Sequence, residues 1–243
     1  MAGDTLLSMS IARLQSTLHQ SELDFGLHEI ASAFGVKHMT CLVLRARSEL
    51  PRYPYYCTTY PDDWTRHYID RQYFEIDPVV DIIRWGHLAV DWRRLERASP
   101  VIEHFFREAQ INGVGINGMT VPVRGPRGER SLFSVSSELM SAEWEALSAD
   151  HVHDFHILSH YMHEKLLAVA GLQMRTASRP LSSRERACLE GLASGLLAKQ
   201  IAADLGISES AVRLYLRGAR RKLGASTTYQ AIARASLFEL IAV

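Results

Sequence analysis

The sequence predicts an α+β chain: an N-terminal α-β-α sandwich with a central antiparallel sheet, followed by a C-terminal all-α four-helix bundle. Three observations predict it. Runs of strand length and apolar or β-branched character, Met39–Ala46, Met119–Arg124 and Ser131–Ser137, lie among stretches of helical spacing. The segment Gln173–Pro180 (QMRTASRP) has no apolar periodicity and ends in proline, as a linker does. Charge divides at the same place. From Met174 onward there are 11 Lys+Arg against 5 Asp+Glu, a net of +6, which leaves 16 against 22, a net of −6, before it. The expected division is an N-terminal domain over 1–172, a linker over 173–181 and a C-terminal domain over 182–243.

Within the first part, residues 11–34 carry helical spacing through Ile11, Leu14 and Leu18. The strands Met119–Arg124 and Ser131–Ser137 are joined across Gly125-Pro126-Arg127-Gly128, a turn sequence. Ser141–Ala170 reads as one long amphipathic helix with Phe155, Leu158, Met162 and Leu166 on its apolar face. His153, His156, His160 and His163 are expected on the opposite, solvated face. They lack the Glu of an HExxH-type site, so no metal is expected.

Composition excludes several classes. A hydrophobic fraction of 47% with 22% charged residues is ordinary for a soluble globular protein, and no apolar run reaches the roughly 18 residues of a membrane span. The N-terminus has too short an apolar stretch for a secretory signal. Cys41, Cys57 and Cys188 are too scattered for a disulfide framework or metal knuckle. The expected location is the cytoplasm, with no membrane partner and no cofactor.

The C-terminal part is the more explicit. Ser182 and Glu185 have capping-box spacing, Leu189, Leu192 and Ala193 form an apolar face, and Gly195 ends the first helix. AKQIAADLG makes a second, short helix with Ile201, Ala202 and Leu205 inward, stopping at Gly206. Ser208 caps a third helix, in which Val212, Leu216, Ala219 and Leu223 form a buried stripe and Arg213, Arg217, Arg220 and Arg221 line another face. A last helix is expected over Thr227–Leu240, with Ile232, Ala235 and Leu240 as its apolar residues. Two helices joined by a tight glycine turn, the second rich in arginine, constitute a helix-turn-helix, whose recognition helix enters the DNA major groove. The candidate DNA contacts are Lys199, Ser208, Ser210, Arg213, Arg217, Arg220 and Arg221.

The order Leu181–Glu185, Leu189, Gly195, Ile201-Ala202, Leu205-Gly206-Ile207-Ser208-Glu209, Val212 and Arg221-Lys222-Leu223-Gly224 resembles the DNA-binding domain of the LuxR family of transcription regulators. Ala211 and Tyr215 stand where many members have Thr and His, which leaves the base preference open. Such domains also follow phosphorylated receiver domains, but the first 60 residues hold no acidic pair after a strand. Upstream, Tyr60-x3-Trp64-x3-Tyr68-x8-Asp77-Pro78, then Trp92, Gly118, Thr120 and Pro122, is similar to the autoinducer-binding domain of the acyl-homoserine-lactone receptors. Singly, Trp64 and Trp92 read as core and Asp77 as a turn or helix-cap carboxylate; their joint spacing points to a pocket.

The resemblance implies a cytoplasmic, non-enzymatic quorum-sensing regulator that binds an N-acyl-homoserine lactone and, as a homodimer, an inverted-repeat DNA site, with RNA polymerase as a further partner. It implies Asp77 as acceptor for the ligand's amide N–H, Trp64 as donor to the lactone carbonyl, and Tyr60 and Ser134 as donors to the amide carbonyl. Trp92 and Tyr68 are expected as apolar walls, with Phe105 as a further aromatic lining residue. Val79 stands where some members have a Thr that also meets the amide N–H. Aromatic residues near Tyr53, Tyr55 and Tyr56 hint at a restricted pocket. One alternative is an orphan receptor of the same fold answering a non-lactone or host-derived signal. A lactone-degrading enzyme fits poorly, since the HxH of His151 and His153, with Asp154 following, has no completing ligand set.

Overall fold

The computed structural model describes residues 2–45, 55–96, 99–126, 128–172 and 180–242. Ala46, Tyr53, Arg127 and residues 173–179 of the expected linker lie outside the described residues. The chain divides into two compact units, one of residues 1–124 with 129–173 and one of residues 125–128 with 174–243.

In the first unit, a five-stranded sheet runs in the order β2-β1-β5-β4-β3. Its strands are β1 (His38–Arg45), β2 (Tyr55–Thr58), β3 (Val90–Asp91), β4 (Asn117–Arg124) and β5 (Arg130–Ser137), and every pairing is antiparallel. Helices α1 (Ala2–Ser16), α2 (Gln20–Ala33) and α6 (Ser141–Val169) belong to one layer, and α3 (Asp62–Asp70), α4 (Pro78–Trp85) and α5 (Pro100–Ile111) to the other. The two-residue side-chain period of the strands divides the interior. Met39, Cys41, Val43, Val121, Phe133 and Val135 pack with Leu27, Phe155, Leu158 and Met162 in a closed core. Leu42 and Leu132, on the opposite face, pack with Trp64, Val79, Trp92 and Phe105.

The helical spacing read over residues 11–34 is broken here into two helices. The Ser16 and Thr17 hydroxyls donate back to the Arg13 carbonyl at 2.9 and 3.2 Å, and the Glu22 carboxylate accepts the Leu18 and His19 N–H groups at 2.7 and 3.4 Å. These side chains satisfy the backbone groups that a continuous helix would have paired. Leu14 stays buried, whereas Leu18 is 73% exposed.

A second correction concerns the histidine face of α6. His163 is buried, with Nδ1 2.7 Å from Ser131 Oγ, and burial pushes its pKa down to about 4. Packing widens the buried stripe of α6 beyond Phe155, Leu158, Met162 and Leu166 to take in Ser159, His163 and Leu167. Among the described residues no cluster of His, Cys, Asp or Glu could hold a metal ion, and no helix is long and apolar enough to cross a membrane.

The second unit contains α7 (Ser183–Ala193), α8 (Ala198–Leu205), α9 (Glu209–Lys222) and α10 (Thr228–Leu237) around Cys188, Leu189, Ile201, Val212, Leu216, Ala219 and Ala235. The Ser182–Glu185 capping box forms as the spacing predicts, with hydrogen bonds of 3.2 and 2.7 Å. Glu185 also accepts from Lys222 Nζ at 2.7 Å, tying the start of α7 to the end of α9. Burial raises the Glu185 pKa, but the Lys222 and Ser182 hydrogen bonds outweigh it and hold the carboxyl below its usual value. Thr227 caps α10, which ends at Leu237 rather than Leu240. The chain leaves the helical conformation at Phe238, and Glu239 has φ of +53°.

Candidate functional site

Between the second sheet face and helices α3, α4 and α5 lies a cavity of about 430 Å³. That volume falls within the range of about 300–1,000 Å³ that small-molecule sites occupy. Tyr60, Trp64, Tyr68, Asp77, Val79, Trp92, Phe105 and Ser134 all line it. They reach it from separate elements: α3 supplies Trp64 and Tyr68 one turn apart, Asp77 and Val79 come from the start of α4, Phe105 from α5 and Ser134 from β5. The walls are aromatic, with Trp64, Tyr68 and Phe105 ring centres 6.0–6.1 Å apart.

Asp77 serves two purposes at once. Its Oδ1 accepts the Val79 N–H at 2.8 Å, which makes it the cap of α4, with Pro78 at the first helical position. Its Oδ2 accepts the Tyr68 hydroxyl at 2.9 Å. Tyr68 is therefore more than the apolar wall that the sequence suggests: it orients the carboxylate. Burial pushes the Asp77 pKa up to about 6, against the pull of the Val79 N–H and the Tyr68 hydroxyl. Burial and the Asp77 charge likewise hold the Tyr68 phenol well above its usual value. Each carboxylate oxygen keeps a second lone pair for an incoming donor.

The two tryptophans differ. Among the described residues, the buried Trp64 has no hydrogen-bond acceptor for its indole N–H. Trp92 donates to Thr120 Oγ1 at 2.8 Å, and Thr120 Oγ1 lies 2.8 Å from Ser134 Oγ. Trp92 can pack against the sheet only because position 118 is glycine, where an added Cβ would fall 2.5 Å from Trp92 Cε3. Gly118→Ala is therefore expected to displace the indole, break its bond to Thr120 and lower stability by about 1–3 kcal/mol. Chemical denaturation measures this, and an unchanged midpoint would show that the indole relaxes freely.

The sequence reading missed Thr40, Leu42, Thr58, Val80 and Leu132, which also line the cavity, as does Tyr56, one of the aromatic residues tied to pocket size in the sequence. A signal for some of them was present. In β1, Thr40 and Leu42 alternate with Met39, Cys41 and Val43, and the alternation separates a cavity face from a core face.

In the second unit, Gly206 adopts the left-handed conformation at φ +64°, ψ +39° and turns α8 into α9. The Ser208 hydroxyl accepts the Ala211 N–H at 3.2 Å and lies 3.0 Å from Ser210 Oγ, so it caps α9. Lys199, Ser208, Ser210, Arg213, Arg217 and Arg221 are exposed. Arg213 pairs with Glu209 at 3.6 Å. Arg220 departs from this row: it is half-buried and donates to the Ser226 carbonyl in the α9–α10 turn.

Residues 21–166 match the autoinducer binding domain, and residues 179–235 match the bacterial regulatory proteins of the luxR family. The chain belongs to the LuxR family. It is a DNA-binding transcriptional regulator with an autoinducer-binding domain. Among its relatives, the transcriptional activator RaiR of Rhizobium etli is 47% identical over 175 residues, 72% of each chain. The transcriptional activator LuxR of Aliivibrio fischeri is 22% identical over 229 residues, 93% of this chain and 91% of that one. Among solved structures, Escherichia coli SdiA superposes with a TM-score of 0.66 at 19% identity, covering 98% of this chain and 99% of its own. CepR2 of Burkholderia cenocepacia, described as N-acylhomoserine lactone dependent, gives 0.56 at 18% identity, with 70% and 98% covered. In this LuxR-family chain the autoinducer-binding match contains every cavity residue named above, and the luxR match contains α7, α8 and α9.

Proposed function

We propose that this regulator binds an N-acyl-homoserine lactone in the cavity and, as a homodimer in the cytoplasm, an inverted-repeat DNA site from which it acts on RNA polymerase. One observation supports the ligand above all: the Trp64 indole, a donor without a partner among the described residues, and a buried acceptor, Asp77, line the same apolar cavity. Burying the lactone leaves its amide and carbonyls costly unless each finds a partner. Asp77 takes the amide N–H, Trp64 donates to the lactone carbonyl, and Ser134 and Tyr60 face the amide carbonyl. Val79 places no hydroxyl beside Asp77, so the carboxylate holds the amide proton alone. Ligand then becomes part of the core and stabilises the fold by mass action.

The test is mass spectrometry of full-length protein purified from cells fed a lactone panel. Retention of a lactone is expected. Soluble protein that binds DNA yet carries no lactone would favour an orphan receptor for another signal.

The pKa of Asp77 sets the pH dependence. Between 3.8 and about 6, the unliganded fold holds the Asp77 proton more tightly than the unfolded chain. The Asp77 contribution to stability therefore declines as pH rises through that window. An amide N–H donated to the carboxylate favours the charged form and lowers its pKa in the complex. Lactone affinity is thus expected to fall roughly five- to tenfold from about pH 7 to about pH 5, with proton uptake on release. Calorimetric titration in buffers of different ionisation enthalpy checks this; a flat profile would mean that Asp77 does not meet the ligand proton.

A further inference from the structure

Four hydroxyl residues stand in one transverse row on the cavity side of the sheet. Thr58 in β2 is registered with Thr40 in β1, Thr40 with Ser134 in β5, and Ser134 with Thr120 in β4. Thr120 and Ser134 are bonded to each other and to Trp92. Thr40 and Thr58 form a separate pair whose hydrogen bonding can be followed atom by atom. The Thr40 hydroxyl donates to Thr58 Oγ1, and the Tyr60 N–H donates to the same oxygen at 3.0 Å. Both lone pairs of Thr58 Oγ1 are then filled, and its own hydrogen has no acceptor among the described residues. Thr40 has given its hydrogen away and keeps its lone pairs. Both residues line the cavity, to which the pair offers one donor and one acceptor.

We infer that the Thr40–Thr58 pair selects a hydroxyl group on the β-carbon of the ligand's acyl chain. This rests on the lactone reading above. A hydroxyl is the one common substituent that both accepts from Thr58 and donates to Thr40. An oxo group uses only the Thr58 donor, and a plain methylene uses neither, leaving both threonines stripped of water without replacement. Position follows from register. Thr40 lies directly across from Ser134, one strand spacing of about 4.8 Å away. Ser134 faces the amide carbonyl, and the β-carbon is two bonds from that carbonyl carbon, so a β-substituent reaches the neighbouring strand.

The test is the dissociation constant of the full chain for N-(β-hydroxyoctanoyl)-, N-(β-oxooctanoyl)- and N-octanoyl-homoserine lactone. The β-hydroxy compound is expected to bind roughly 10- to 100-fold more tightly than the unsubstituted one, with the β-oxo compound between. In Thr40→Val/Thr58→Val the ratio of hydroxy to unsubstituted affinity should collapse to about one, whereas Thr58→Ser, which keeps the hydroxyl, should retain it. Equal affinities in the natural chain, or a ratio surviving the double substitution, would overturn the inference and leave the lactone reading intact. Binding of none of the three compounds would overturn both.

Discussion

Asp77→Ala is expected to abolish the transcriptional response to ligand, through two separable losses. The first is in the fold: the cap of α4 is worth about 1 kcal/mol, and the stranded, buried Tyr68 hydroxyl costs about 1–3 kcal/mol. The second is in the site: removing the charged acceptor weakens the lactone by about 1.5–3 kcal/mol, roughly 10- to 150-fold. Asp77→Asn separates them, because its side-chain oxygen can still cap α4 while the negative charge is gone. The Asn variant should unfold near the natural midpoint yet bind lactone weakly. Promoter activity in a reporter strain and direct ligand titration read the two losses. A full response from Asp77→Ala would remove the carboxylate from the recognition scheme.

The second large effect lies on α9. Arg217 and Arg221 are one turn apart and exposed, and no anionic partner holds either among the described residues. Replacing both by alanine should reduce the slope of log affinity against log salt by about 2 and lower operator affinity roughly 10- to 100-fold at low salt. Arg220→Ala should act differently. That guanidinium holds the Ser226 carbonyl, so its removal should loosen the α9–α10 turn and show in melting temperature as well as in DNA binding. Gel-shift titrations over a salt series, with thermal melts alongside, distinguish the two classes. An unchanged salt slope in the double variant would place the phosphate contacts elsewhere.

The features visible in the sequence are those made by neighbours along the chain. The Ser182–Glu185 box, the Gly206 turn and the Val212–Leu216–Ala219–Leu223 stripe each lie within a few turns of one helix or its flanks, so spacing encodes them directly. The β4–β5 hairpin was legible for the same reason. Strands β2 and β3 were not, because four and two residues at the sheet's two edges carry too little alternation to stand out. Helical spacing also ran through Thr17–His19 undisturbed, since side-chain caps break the helix there without interrupting the apolar pattern.

The candidate site divides along the same line. The sequence by itself determined eight of the cavity-lining residues, Tyr60, Trp64, Tyr68, Asp77, Val79, Trp92, Phe105 and Ser134, and the division into an autoinducer-binding part and a basic helical reader. Only the tertiary structure decided which hydrogen bonds those residues spend on one another. It commits Trp92 to Thr120 and leaves Trp64 without a partner among the described residues; it turns Tyr68 from a wall into the partner of Asp77; it buries His163 against Ser131 and sets Thr40 beside Thr58. Those choices join residues from 9 to 32 positions apart. A side chain's type states what it can donate or accept, but only packing in a dry interior fixes which partner lies within hydrogen-bond reach.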